Sequence, residues 1–178
     1  MKASFKLTLS LFFLLLFFVT SSIEAQIAWV PYEGKIPDNA ISGGNELGQR
    51  LPVCRCLYNG SWHPGKVVAN NCNIGWGGEE IVISSGYEIM VKPARNMEMR
   101  WVEVKDNHIP KNAVVAGTEN GQSLYVGRAK HTDGNKHPGK VFMVERNYIC
   151  NFGYGGKEIT CKSGFEVLVA KDAANGRN

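Results

Sequence analysis

The chain has 178 residues, 44% of them hydrophobic and 20% charged, with a formal net charge of +4 at neutral pH. That composition is ordinary for a globular protein and excludes disordered and collagen-like chains. The positive excess is slight and spread along the sequence, so no basic footprint for nucleic acid or for an acidic membrane is expected.

In chain order, Lys2 and Lys6 come first, then a run dominated by Leu and Phe from Leu7 to Val19, then Ile23-Glu24-Ala25. This reads as a secretory signal peptide over residues 1–25, its apolar run too short for a comfortable membrane span. The mature protein is therefore expected to start near Gln26, to be extracellular, and not to insert in a membrane. Removing Lys2, Lys6 and Glu24 with the leader leaves a formal charge of +3.

After the leader the sequence repeats itself. His63-Pro64-Gly65-Lys66-Val67 recurs as His137-Pro138-Gly139-Lys140-Val141. Upstream, Ala40 to Cys56 aligns with Ala113 to Ala129 without a gap, and Trp29-Val30 aligns with Trp101-Val102. Downstream, the stretches beginning at Cys72 and Gly86 align with those beginning at Cys150 and Gly164. The slow drift in offset places insertions in loops. The organisation is a first repeat over 27–91, a linker over 92–100, a second repeat over 101–170 and a polar tail over 171–178.

Within each repeat, Leu51-Pro52-Val53 and Leu124-Tyr125-Val126 read as short strands, and Tyr87 to Val91 and Phe165 to Val169 as closing strands. Gly77-Gly78 and Gly155-Gly156 lie between β-like flanks, as a type I′ hairpin turn requires at both of its central positions. No amphipathic helical period is present. The fold class expected is all-β, with two tandem antiparallel repeats packed as one pseudo-twofold globule, because one repeat is marginal in size for a core of its own.

The mature chain holds an odd number of cysteines, the five counted in the sequence. Taking Gly155-Gly156 as the turn sets Cys150 across from Cys161, which makes them a disulfide candidate. Ile83 stands where Cys161 does, so Cys72 needs another partner, and Cys54 and Cys56 share one strand face from which either could reach it. The odd thiol stays free or bonds another chain, which leaves room for a homodimer. Asn59-Gly60-Ser61 is a glycosylation sequon at Asn59, on a loop. No CxxC or His-Cys cluster has zinc spacing, so neither a metal nor a cofactor is expected.

A catalytic site needs a nucleophile beside a base, or paired acids in a cleft. No such set recurs, His63 and His137 read as loop residues, and the protein is not expected to be an enzyme. The recurring polar residues say more. Arg55 with Glu80 or Glu88, and the same set in the second repeat, read as internal ion pairs. Glu46 and Glu119 sit in Gly-rich turns, while Lys66 and Lys140 follow Pro-Gly and read as turn-borne. A carboxylate and an ammonium converging from turns suit vicinal sugar hydroxyls, with Trp62, Trp76 or Tyr154 covering the apolar sugar face.

The order Trp101, Pro110, Ala113-Val114, Ala116-Gly117, Leu124 to Ala129, Pro138 to Val141, Gly155-Gly156-Lys157-Glu158 and Phe165 to Leu168 resembles the DM-nine repeat family. It is also similar to the N-terminal module of natterin-like proteins. The resemblance spans Ile27 to Ala170, with the second repeat the closer match. It implies a mannose-binding lectin of innate immune pattern recognition, taking mannose-containing glycans on microbial surfaces. The sugar-binding residues it implies are Glu46 and Lys66 in the first repeat, with Glu119 and Lys140 in the second. The alternative from a different class is a secreted structural or protein-interaction module in which these residues are bystanders.

Overall fold

The computed structural model describes residues 27–93 and 97–172. The expected signal peptide, the expected start near Gln26 and residues 173–178 of the polar tail lie outside the described residues. The first repeat forms β1 (Ala28–Pro31), β2 (Ser42–Glu46), β3 (Gln49–Tyr58), β4 (Ser61–Val68), β5 (Asn71–Trp76), β6 (Glu79–Ile83) and β7 (Tyr87–Val91). The second forms β8 (Met97–Glu103), β9 (Val115–Glu119), β10 (Gln122–Lys130), β11 (Lys136–Val144), β12 (Asn147–Tyr154), β13 (Lys157–Cys161) and β14 (Phe165–Asp172). Met97 to Arg100, read from sequence as linker, are thus the first half of β8.

All fourteen strands join one sheet, in the order β1-β7-β3-β4-β5-β6-β13-β12-β11-β10-β14-β8, with β2 added on β3 and β9 on β10. Exchanging each strand for its counterpart in the other repeat reverses that order onto itself, which is the pseudo-twofold axis in topological form. The axis passes between β6 and β13, which pair through Lys157 and Glu79. The two glycine turns meet there. Gly77, Gly78, Gly155 and Gly156 all have positive φ, between 59° and 89°, as the type I′ reading requires. Glu80 N donates to Gly156 O at 3.1 Å and Glu158 N to Gly78 O at 3.0 Å. The side chains reciprocate: Glu80 accepts from Gly156 N and Glu158 from Gly78 N, each at 2.9 Å.

Each repeat has a core of its own, built on Cys54, Cys72, Ile74, Tyr87 and Ile89 in one and on Val141, Cys150, Phe152, Phe165 and Val167 in the other. A third cluster takes Val53 and Met90 from the first repeat and Val114, Ala116, Val126 and Leu168 from the second. This shared layer is what makes two marginal units one body. The approach is close. A Cβ at Gly117 would stand 2.1 Å from the carbonyl oxygen of Trp62, and one at Gly44 would stand 1.7 Å from that of Lys136. These equivalent glycines let β9 lie on β4 and β2 on β11.

The repeated His-Pro-Gly-Lys-Val stretches are not turns. They are the middles of β4 and β11. Proline survives there because the ladder from β4 to β5 begins only at Lys66, and that from β11 to β12 only at Lys140. Pro64 and Pro138 pair on one side only, with Arg55 and Arg128, so their missing N–H interrupts no second ladder.

Cys54 and Cys72 form a disulfide with Cα atoms 5.9 Å apart, which selects Cys54 over Cys56 as the partner of Cys72. The expected Cys150–Cys161 bond is absent, although the register places the two directly opposite. They face each other as thiols, and burial pushes both upward in pKa and keeps them protonated. The second repeat has Gly127 where Cys54 stands, so Cys150 lacks the partner that Cys72 finds. Cys56 is buried, its thiol pushed up to about 12. The Cys54–Cys72 link closes a loop with a sequence separation of 18. Replacing both cysteines by Ala should lower the urea unfolding free energy by roughly 3 kcal/mol; an unchanged midpoint would show the cross-link to be without effect on stability.

Candidate functional site

Lys66, on β4, is only 1% exposed. Its Nζ lies 3.0 Å from His137 Nδ1 and 5.0 Å from the centroid of the Tyr154 ring. Burial pulls the Lys66 pKa down, while the charges of Glu46, Glu80 and Asp133 hold it up. An ammonium can only donate, so His137 Nδ1 accepts and the neutral ring carries its proton on Nε2, which donates to Asp133 Oδ2 at 3.0 Å. His137 is fully buried, and burial followed by the Lys66 charge lowers its pKa. Burial would raise the pKa of Asp133, but hydrogen bonds from Asn135 and His137 bring it to about 2.

The second site is related by the pseudo-twofold. Lys140, on β11, is 3% exposed, with Nζ 3.4 Å from Glu158 Oε1 and 5.1 Å from the Phe142 ring centroid. Glu119 accepts a hydrogen bond from Trp76 Nε1 at 3.0 Å and lies 3.8 Å from His63 Nε2. Burial and the Lys140 charge lower the His63 pKa, opposed by Glu119. Among the described residues, neither His63 nitrogen has a hydrogen-bond partner, nor do the side-chain oxygens of Asn73 and Asn151, which stand across from Lys66 and Lys140.

Neither site belongs to one repeat. The Lys66 site takes Lys66, Glu46 and Glu80 from the first repeat and His137, Asp133 and Tyr154 from the second. The Lys140 site takes Lys140, Glu119 and Glu158 from the second and His63 and Trp76 from the first. The charge of Glu46 acts on Lys66, whereas the carboxylate in contact with Lys140 is Glu158 and not Glu119. The histidines, unassigned from sequence, lie buried in strands and not in loops. Their signal was the recurrence of His at one strand position in both copies.

The other predicted residues fall into place around this pair. Glu46 and Glu119 end β2 and β9, each followed by a positive-φ turn pair, Leu47-Gly48 or Asn120-Gly121. Leu47 is 94% exposed. Arg55 bonds Glu88 at 2.6 Å and Arg128 bonds Glu166 at 2.7 Å, which chooses Glu88 over Glu80. The Arg55 guanidinium lies over both Trp29 and Trp62, at 4.5 and 4.7 Å from their ring centroids, so Trp62 is engaged in the framework. Asn59 is exposed, with positive φ, in the turn between β3 and β4. A separate groove of about 720 Å³, lined by Glu103, Lys105, Asn107, Tyr148 and Lys162 among others, contains none of the paired residues.

The model of the DM9 repeat matches residues 11–68, 45–161 and 119–177. The chain belongs to the DM9 repeat family. It is 31% identical to Natterin-3 of Thalassophryne nattereri over 121 residues, 66% of this chain and 32% of that protein. It is 24% identical to Natterin-2 of the same fish over 152 residues, 84% of this chain and 38% of that protein. The chain thus spans about a third of the length of these relatives. In fold it is similar to the nematode sperm cell motility protein MFP2B, with a TM-score of 0.62, 15% identity, and coverage of 83% of this chain and 45% of that one.

Both buried histidines have lowered pKa values in the fold, so the unfolded chain binds more protons than the folded one once the pH falls below the ordinary value of 6.5. Their contribution is complete above that value and is lost as the pH drops toward the folded-state pKa. Stability should decline below about pH 6.5 by at most ~1.4 kcal/mol per pH unit for each histidine. Denaturant titrations across pH 5–8 should show this, with a shallower slope in His63→Gln; equal slopes would contradict it.

Proposed function

We propose that the protein is a secreted carbohydrate-binding protein with two sites per chain, each taking a mannose-type hexose through vicinal hydroxyls. The observation carrying this reading is a buried, under-used ammonium in each site. Lys66 has three N–H donors and makes one side-chain hydrogen bond among the described residues, and Lys140 has a single carboxylate contact at 3.4 Å. Lys66 feels the charge of Glu46 and lies 5.0 Å from the Tyr154 ring, while in the second site Lys140 and Glu119, the latter bonded to Trp76, both act on His63. Donor, acceptor and apolar surface are the three things a sugar edge and face require. The role is binding without turnover. Membership of the DM9 family supports immune recognition of glycans on microbial surfaces as the setting. The near-complete burial of both lysines favours one second reading, a structural or protein-interaction module in which they serve only as internal ion pairs.

The two readings separate in calorimetry with mannose. Lys66→Met and Lys140→Met keep the buried stem and should each abolish one of two sites, the loss of a charged donor being worth on the order of 1.5–3 kcal/mol, or tenfold and more in affinity. Because the sites are shared between repeats, Trp76→Phe should weaken the same site as Lys140→Met and add little to it, yet add fully to Lys66→Met. Unchanged mannose binding in a folded double lysine variant would rule out the sugar sites.

Export is part of the same proposal. Mass analysis of protein recovered from culture medium should give a chain beginning at or near Gln26, and a chain in the medium that retains Met1 would refute cleavage.

A further inference from the structure

The loop from β10 to β11 carries a feature with no counterpart in the other repeat. Where the first repeat turns through Tyr58-Asn59-Gly60-Ser61, the second runs His131-Thr132-Asp133-Gly134-Asn135, one residue longer. The loop is closed by backbone bonds from His131 N to Asn135 O at 2.8 Å and from Gly134 N to His131 O at 3.0 Å. Tyr58, the equivalent of His131, packs edge-on against Trp76 at 5.3 Å, while His131 lies 4.3 Å from Tyr154. The longer loop therefore puts an imidazole and a carboxylate beside His137.

We propose that His131, Asp133 and His137 form a binding site for one borderline divalent transition-metal ion, zinc being the type. Their ligand atoms all lie within 4.8 Å of one another. His137 Nε2 is 3.0 Å from Asp133 Oδ2, and His131 Nδ1 is 3.7 Å from Asp133 Oδ1. Those distances bracket the ~3.3 Å separation of ligands around a tetrahedral ion with bonds of about 2.0–2.1 Å. His131 Nδ1 is buried and has no hydrogen-bond partner among the described residues, so it is not committed elsewhere.

Each ligand is oriented from behind. Thr132 Oγ1 stands 3.4 Å from His131 Nε2, Lys66 donates to His137 Nδ1, and Asn135 holds both oxygens of Asp133 at 2.9 and 3.1 Å. The rings of Phe152 and Tyr154 shelter the site, Phe152 stacking on His137 at 5.3 Å. Two imidazoles and one carboxylate select zinc, cobalt or nickel over calcium and magnesium, which take mostly oxygen ligands. Three protein ligands leave a fourth position for water or a hydroxyl. Zinc at His137 Nε2 displaces the proton there to solvent, and Nδ1 takes a proton from the Lys66 ammonium, which becomes a neutral amine accepting from Nδ1–H. The stoichiometry is one per chain, against two sugar sites; zinc binding needs no sugar, and by neutralising Lys66 it opposes sugar binding at that site.

The test is calorimetry of the mature chain, freed of metal by chelator, with zinc chloride alone. One equivalent should bind, with a rise in the unfolding temperature. His131→Gln and Asp133→Asn should each weaken binding at least tenfold while melting cooperatively in chelator like the parent chain. His108→Gln, which alters an exposed histidine outside the site, should bind as the parent does. The proposal is overturned by absence of zinc binding, by undiminished binding in both His131→Gln and Asp133→Asn, by loss of binding in His108→Gln, or by calcium binding as tightly as zinc.

Discussion

Two lysine amines are held out of water at the seam between the repeats. Withdrawing an ammonium from water costs several kcal/mol unless charge and hydrogen bonds replace the hydration. Here the replacement comes from both halves. Glu46, Glu80 and Asp133 surround Lys66, with Asp133 and the His137 acceptor supplied by the second repeat. Glu80 and Glu158 are themselves fixed by the glycine turn of the opposite repeat. The halves are thus joined by Asp133 acting on Lys66 and by each glycine turn holding the other repeat's carboxylate, and the shared apolar layer beneath keeps them in contact.

That dependence explains several local oddities together. Proline sits in the middle of β4 and β11 because each is paired on one side only at that point, leaving the histidine before it and the lysine after it to meet the other repeat. Gly44 and Gly117 allow backbone against backbone at the seam. The Arg–Glu pairs, with tryptophan rings over the guanidinium groups, brace β3 on β7 and β10 on β14. A neighbour at 15% identity keeps the fold, so the sheet tolerates replacement of most residues.

What the sequence made legible was whatever is local or duplicated. The Gly-Gly turns carry their own conformational requirement, so the register that sets Cys150 opposite Cys161 followed from them. Internal alignment marked the recurring lysines and carboxylates as counterparts of one another. Contacts across the seam left no such trace. Nothing in the order of residues says that Lys66 meets His137 rather than its own His63, because that choice is made by two repeats folding against each other. His-Pro-Gly-Lys looked like a turn because Pro-Gly usually makes one, and only the one-sided pairing of β4 reveals why a strand is permitted. The disulfide misled for a related reason. Opposition in a ladder makes a bond geometrically available, while the bond that formed, Cys54–Cys72, joins strands separated by β4.

The pseudo-twofold also shows where the sites differ. At one, the lysine donates to a histidine that is itself tied to Asp133, so the ammonium is held in a chain of hydrogen bonds ending on a loop. At the other, the lysine faces Glu158, while His63 has no hydrogen-bond partner among the described residues. The rim differs in the same sense, with exposed Leu47 and Tyr154 at the first and Asn120 and Trp76 at the second. The difference between the two histidines traces to the loop that carries Asp133 in the second repeat. The first repeat's turn at Asn59-Gly60 is one residue shorter and has no carboxylate to offer His63. Duplication built two sites of one geometry, and the change in that single loop gave one of them a second cluster of titratable groups.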